Sequence, residues 1–227
     1  ELSERYPKIR ASVAAYDAVH LSDWGQLDAA LDRFDEAIDL CRETGSVRRG
    51  IWAMACAART AYLAGWIPAS ERWAKEAQRQ AQSERWTAIR PWPEAWHAHA
   101  RLAKGEDPAA VRADLESTYA LAKQLGDPCW EGVSAKAMGL TFVAEGNPEA
   151  AIPWLDDASA ACLRTNDSYR WVNVEVMVTE AEVALSAGDR DRAQDIAERA
   201  LQGAARGDMP LLIERAEKVI EALREPS

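Results

Sequence analysis

The chain has 227 residues, of which 48% are hydrophobic, and its 27 basic and 37 acidic side chains give a net charge of −10. This acidic balance argues against a nucleic-acid-binding surface, because the neutralisation of phosphates requires a basic face. No apolar run in the sequence approaches the ~18 residues that a membrane-spanning helix needs. We therefore expect a soluble, cytoplasmic protein with no membrane contact.

The first residues and the cysteines indicate the context of the chain. The opening ELSERYPKIR lacks both an initiator Met and the apolar run of a signal peptide, so we expect a fragment of a longer multidomain protein. The four cysteines have none of the paired spacings of metal or redox sites, and they are Cys41, Cys56, Cys129 and Cys162. This pattern indicates buried apolar residues in a reducing compartment.

Hydrophobic residues recur at helical spacing along the chain, and prolines and glycines mark the ends of the helices. In chain order, helices are predicted over residues 8–22, 26–44, 47–64, 68–84, 108–125, 148–165, 169–187, 190–206 and 210–224. Between the fourth and fifth of these, a further helix is predicted to begin near residue 93. Asp107 and Asn147 each precede a proline at the first helical position, which is a strong start signal.

Other residues predict breaks between and within the helices. Gly45 and Gly207 are expected to end helices, and residues 85–92 to form an irregular entry to the helix that follows. Pro153 lies inside a predicted helix, where it removes one backbone hydrogen bond and is expected to cause a kink.

A repeat of about 40 residues organises these helices. The glycines that end the first helix of each pair are spaced by 40, 40, 41 and 42 residues, and they are Gly25, Gly65, Gly105, Gly146 and Gly188. Seven residues before each glycine stand small residues, namely Ala18, Ala58, Ala98, Gly139 and Ala181. Five and twelve residues after each glycine stand ten further small residues, namely Ala30, Ser70, Ala110, Ala151, Ala193, Ala37, Ala77, Ser117, Ala158 and Ala200. A period in this range predicts a helical solenoid.

With these small residues around a glycine-containing turn, the chain resembles the tetratricopeptide-repeat (TPR) family over about residues 8 to 225. The resemblance implies an all-α fold: a right-handed superhelical α-solenoid of about five TPR-like helix pairs plus a C-terminal capping helix. The period exceeds the usual ~34 residues of the family, and its closing proline is missing, which implies longer helices. Such long repeats are similar to those in the sensor regions of MalT-like or LuxR-type bacterial transcription regulators, in Rap-type regulators and in kinesin light chain.

The continuous repeat predicts a single domain over residues 1–227. Its repeats are expected at about 8–45, 46–86, 87–126, 127–167 and 168–207, with the capping helix at 210–224.

We find no motif that predicts catalysis or a cofactor. Glu94 and His97 have the spacing of half of a di-iron site, but the sequence lacks the second half. We therefore expect these two residues to lie on a polar helix face. The acidic pair Asp156 and Asp157 is expected to be a solvated helix face. No phosphate-binding loop or nucleophile motif can be found, and we expect neither an enzyme nor a metal site.

The resemblance places a binding groove on the first helix of each pair. Residues 1–105 carry a net charge of +1 and residues 106–227 a net charge of −11, so an anionic ligand should prefer the first half. Six of the ten tryptophans lie between residues 46 and 105, and they are Trp52, Trp66, Trp73, Trp86, Trp92 and Trp96, beside Arg48, Arg49, Arg59, Arg90 and His99. Aromatic and arginine residues together are typical of binding hot spots, although tryptophans also fill helix interfaces.

The candidate groove residues are Arg48, Trp52, Arg59, Tyr62, Trp92, His99, Lys136 and Trp171. The predicted function is a module that binds a protein segment, a peptide or a small effector. The resemblance implies the sensor or scaffold part of a bacterial transcriptional regulator or signalling ATPase. The alternative is a structural spacer or oligomerisation array with an inert groove. The identity of the ligand, the flanking domains and the oligomeric state stay open.

Overall fold

A computed structural model describes residues 6–164 and 169–225 of the chain. These residues form eleven α-helices and one short 3₁₀ helix, and no strand occurs among them. The helices are α1 (Pro7–Asp23), α2 (Leu27–Glu43), α3 (Val47–Leu63), α4 (Ile67–Ser83), α5 (Pro91–Ala103), α6 (Pro108–Leu125), α7 (Pro128–Ala144), α8 (Pro148–Cys162), α9 (Arg170–Ser186), α10 (Arg190–Arg206) and α11 (Pro210–Arg224). The prediction of an all-α fold built from successive helices is confirmed.

The chain divides into two compact units, one with the residues up to Lys104 and one with the residues from Gly105 onward. In the first unit each of α1 to α5 packs against the next, and in the second unit α6 to α11 do the same. The first helices of consecutive pairs also touch, α1 with α3, α3 with α5, and α7 with α9. We call these the leading helices. The single continuous domain stays a prediction, and the repeat boundary expected at 167 and 168 lies outside the described residues.

Most of the helices are followed by a residue whose backbone takes the left-handed conformation, with a positive φ. Gly65 has a φ of +76°, and the turn around it is closed by hydrogen bonds from the Gly65 N–H to the Tyr62 carbonyl (3.0 Å) and from the Trp66 N–H to the Ala61 carbonyl (2.8 Å). This pair of bonds is a Schellman motif, which satisfies carbonyls that the helix leaves without partners. A Cβ built on Gly65 would meet nothing within 4 Å, so backbone conformation alone explains the glycine.

The segment between α4 and α5 differs from the prediction. In the turn after α4, Arg85 takes a left-handed φ of +50° without being a glycine. The 3₁₀ helix Thr87–Ile89 follows, and α5 begins at Pro91, not near Pro93. The stop expected at Gly207 is confirmed, because α10 ends at Arg206 with Gly207 as its C-cap, and the left-handed φ of +50° falls on the next residue, Asp208. Helix α8 continues through Pro153 as one element, and its predicted end at residue 165 lies outside the described residues.

The small residues of the repeat lie where helices approach each other closely. All five residues at the position before the glycines are buried or half-buried, and so are eight of the ten at the positions after them. The exceptions are Ala110 and Ser117 of α6, which are exposed, contrary to the prediction. Helix α6 begins three residues after its glycine, whereas α2, α4, α8 and α10 begin two residues after theirs. The extra residue shifts the buried face by one position, onto Val111 and Thr118.

None of the helices in the described segments combines the length and the apolar character needed to cross a membrane.

We expect the same substitution at one repeat position to destabilise the protein in one helix and to have little effect in another. Ala151 is fully buried, and Ala110 at the equivalent position is exposed. Ala151→Leu should lower the free energy of unfolding by ~1–3 kcal/mol through overpacking. Ala110→Leu should change it by less than about 0.5 kcal/mol. Urea unfolding followed by circular dichroism measures both, and equal destabilisation would contradict the shifted face of α6.

An ionic cluster joins α4 to the end of α5. Glu71 accepts hydrogen bonds from the ammonium groups of Lys75 (2.6 Å) and Lys104 (2.9 Å), and these bonds lower the Glu71 pKa to about 2. A carboxyl whose pKa is depressed in the folded state stabilises the protein above its unfolded pKa.

The stabilising effect of Glu71 should therefore be complete above its ordinary pKa of 4.5 and disappear as the pH falls through about 2. The difference in unfolding free energy between the wild type and Glu71→Gln should be constant at neutral pH and shrink over this acid range. Denaturant titrations at a series of pH values measure the difference. A difference independent of pH would show that the cluster does not hold Glu71 ionised.

Candidate functional site

Leading helix α3 carries four of the eight candidate groove residues. Arg48 is exposed, Trp52 and Tyr62 are half-buried, and Arg59 is only 1% exposed. The four candidates on this helix thus fall into two groups: Arg48 and Trp52 lie near its accessible start, and Arg59 and Tyr62 contact the neighbouring leading helices α1 and α5.

Aromatic side chains fill the interface between α3 and α5. The Tyr62 ring lies 5.5 Å from the His99 ring and 5.7 Å from the Trp96 ring, measured between centroids. The Trp92 indole N–H donates a hydrogen bond to the Ala55 carbonyl at 3.2 Å. Trp92 and His99 are 3% and 2% exposed. These two predicted groove residues contribute to packing in the structure, and their binding role stays a prediction.

Polar contacts join the C-terminal halves of α1 and α3. The Arg59 guanidinium donates to an Asp23 carboxylate oxygen at 2.7 Å. Beside this ion pair, the buried Thr60 hydroxyl donates to the Ser22 hydroxyl at 2.9 Å. Arg59 is held by this pair between two helices, so its charge is compensated inside the protein.

An accessible group of arginine and aromatic side chains lies near the start of α3. The Arg49 guanidinium carbon is 5.1 Å from the centroid of the Tyr16 ring and 5.7 Å from that of Trp52, and the two rings are 5.1 Å apart. On the other side, the Arg48 guanidinium carbon lies 5.6 Å from the Trp86 ring. We call these five residues the Arg–aromatic patch.

The cations of the patch keep their hydrogen-bonding capacity for a ligand. Arg48 and Arg49 contact aromatic rings, and no carboxylate in the described part of the chain pairs with either of them. Half of the Tyr16 surface is exposed. A guanidinium stacked on a ring leaves its N–H edge free for a carboxylate or phosphate.

The sequence predicted Arg48 and Trp52 as groove residues but not Tyr16. The outward position of Tyr16 can be recognised only from the buried Ala11, Ala14 and Ala18 on the opposite side of α1.

The two remaining candidates lie in the second unit. Trp171 is 1% exposed at the start of α9. Lys136 of α7 is also 1% exposed, and its ammonium group donates to the Glu175 carboxylate at 2.5 Å. Burial lowers the Lys136 pKa, and the Glu175 charge opposes this effect. Arg215 of α11 lies 3.6 Å from the other oxygen of Glu175 and binds Glu182 at 2.6 Å.

The side chains that could suggest chemistry have structural partners. Glu94 accepts a hydrogen bond from Arg90 at 2.8 Å, and the His97 ring lies 3.9 Å from a Glu71 oxygen. Asp156 pairs with Arg192. Among the described residues, no group of three or more His, Cys, Asp or Glu could hold a metal ion. Burial raises the pKa of the thiols of Cys56 and Cys162 to about 12, so both are protonated at neutral pH.

Removing one member of the buried Lys136–Glu175 pair should destabilise the protein strongly. Glu175→Gln leaves the Lys136 ammonium without its closest carboxylate, at an expected cost of ~3–5 kcal/mol. Combining Lys136→Met with Glu175→Leu should restore most of the stability, because neither charge of this pair then remains to be buried. Glu182→Gln is a matched control: its carboxylate is 38% exposed, and its loss should cost no more than ~1 kcal/mol. Chemical denaturation measures all three, and an equal cost for both single variants would contradict the buried pair.

No family model matches the sequence, and no curated protein sequence matches it significantly. Several solved structures share the architecture. A Rap protein complexed with Competence and Sporulation Factor superposes with a TM-score of 0.75 at 14% identity, covering 89% of this chain and 56% of that one. Aspartyl phosphate phosphatase F from Bacillus subtilis gives 0.62 at 14% identity, covering 98% and 62%. A thermophilic TPR protein from Thermus thermophilus gives 0.61 at 22% identity, covering 92% and 99%.

At these identities the likeness is one of fold. The chain has the helical-pair architecture of TPR-like repeat proteins, as its sequence predicts. It spans 56% of the Rap chain and 62% of the phosphatase chain, so only part of each is represented.

Proposed function

We propose that the chain is a protein- or peptide-binding TPR-like module and that the Arg–aromatic patch is its contact surface in the first unit. The observation that carries the proposal is the pair Arg48 and Arg49, which lie against aromatic rings without carboxylate partners in the described residues. Arginine and large aromatic side chains together supply most of the affinity in binding hot spots. The Rap protein of the same fold is complexed with Competence and Sporulation Factor.

The chemistry of the patch favours a segment with acidic and aromatic side chains. A carboxylate would accept hydrogen bonds from the free edges of the two guanidinium groups, and an aromatic ring would stack against Trp52 or Tyr16. The first unit is close to neutral, whereas the second is strongly acidic, so an acidic segment is repelled less at the first.

The broader role that we propose is the sensor or scaffold part of a bacterial transcriptional regulator or signalling ATPase. Its support is the resemblance of the long repeats to the sensor regions of such regulators. The alternative, a spacer without a ligand of its own, has a different expectation for the patch: substitutions there should change no binding.

The proposal is tested by fluorescence anisotropy with two sets of labelled synthetic peptides. One set is rich in Asp, Glu and aromatic residues, and the other has Lys in place of every acidic residue. We expect the acidic set to bind, with an affinity that falls as salt is added. Trp52→Ala should weaken binding by ~30-fold and Arg48→Gln by ~2–5-fold, because the desolvated ring supplies more free energy than an exposed ion pair.

Trp66→Ala is the matched control. Trp66 is 51% exposed and lies in the turn after α3, at the opposite end of this helix from Arg48. It should leave peptide binding unchanged, and circular dichroism should confirm that all variants are folded. Equal binding of both peptide sets, or equal weakening by Trp52→Ala and Trp66→Ala, would contradict the proposed surface. No binding of either set would favour the spacer.

A further inference from the structure

Helix α1 has an apolar stripe on its outward face whose large side chains are about half exposed. Counting from its N-cap, the stripe consists of Tyr6, Ile9, Val13, Tyr16 and His20. Its four large apolar side chains are 47–52% exposed. The opposite face of the helix consists of buried small residues, namely Ala11, Ala14, Ala15, Ala18 and Ser22.

The spacing of this stripe is typical of helix pairing. Its residues follow one another at intervals of three, four, three and four, which is the heptad spacing of a coiled-coil contact. The outward face of the neighbouring helix α2 shows the contrast, because its exposed positions include Asp28, Asp32, Asp35 and Asp39. A row of half-exposed large apolar side chains on one helix indicates an interaction surface and is not typical of a solvated helix face.

The charges along one edge of the stripe are complementary to the same charges on a second, antiparallel copy of α1. Arg10 and Asp17, one heptad apart, lie on the edge that faces α2, where Arg10 pairs with Glu36 at 2.6 Å and Asp17 with Arg33 at 2.9 Å. Arg10 and Asp17 nevertheless remain 53% and 47% exposed. When two copies of α1 pack antiparallel about a two-fold axis, the same edges meet in opposite directions, so Arg10 of each copy approaches Asp17 of the other.

We infer that α1 is the interface of an antiparallel homodimer. The apolar stripes of the two copies bury each other, and the two Arg10–Asp17 contacts across the axis set their direction. A second copy fits this edge because antiparallel packing reverses the order of the two charges. The positive Arg10 of one copy then lies opposite the negative Asp17 of the other. Tyr16 belongs both to the stripe and to the Arg–aromatic patch. Ile9 and Val13, at the centre of the stripe, lie outside the patch, so a substitution of Val13 tests the dimer without changing a patch residue.

Sedimentation equilibrium over a range of concentrations tests the dimer. The wild-type chain should associate to a dimer, and Val13→Glu should raise its dissociation constant at least about tenfold, because a carboxylate would be buried against an apolar surface. Leu125→Glu is the matched control: Leu125 is also an exposed apolar residue, 37% exposed, and lies at the end of α6 in the second unit. It should leave the dissociation constant unchanged. Circular dichroism checks that each variant is folded.

A charge exchange tests the direction of the pair. The exchange is made in a chain that also carries Glu36→Gln and Arg33→Gln, which remove the intrachain partners of Arg10 and Asp17. In that chain Arg10→Asp and Asp17→Arg should each weaken the dimer, and the double variant should recover association, because opposite charges again meet across the axis. A wild-type chain that stays monomeric at every concentration would overturn the homodimer and leave the stripe to a different protein. Equal weakening by Val13→Glu and Leu125→Glu, or no recovery in the double variant, would also overturn it.

Discussion

The close approach of neighbouring helices at small side chains is the constraint on which the rest of this structure depends. At the position seven residues before each turn glycine, Ala58 is fully buried, and at Gly139 a Cβ would lie 3.3 Å from the Ala151 carbonyl oxygen. Helices that meet at such positions leave little room for large side chains between them. Tyr62, Trp92 and Trp96 accordingly lie elsewhere, between the leading helices α3 and α5, and Trp52 lies near the accessible start of α3.

This placement explains why the tryptophans have two different roles. Trp92 and Trp96 interlock with Tyr62 and His99 between α3 and α5, where they supply the volume that alanine-rich helices lack. Trp52 and Trp86 lie at the accessible end of α3, beside Arg48 and Arg49. The proposed binding function rests on the second group, and the first group holds the helices that position it.

Buried ion pairs connect leading helices in both units. Arg59 of α3 pairs with Asp23 of α1, and Lys136 of α7 pairs with Glu175 of α9. A buried pair of this kind adds little net stability, but either charge alone is costly, so each pair disfavours a shifted alignment of its two helices. Residues that a groove model assigns to a ligand can therefore be needed for alignment between repeats.

The amino-acid sequence by itself determined the elements and their period, because the glycine turns, the proline starts and the small residues are local signals that act within one helix pair. It predicted Gly65 as a helix end and Arg48 and Trp52 as groove residues with accessible side chains. Only the tertiary structure decided which side chains face a neighbouring helix. One extra residue after Gly105 turned Ala110 and Ser117 outward, and contacts between leading helices buried Trp92, His99 and Lys136. Burial depends on the rotation of each helix and on what packs against it, and both are set by residues distant in the sequence.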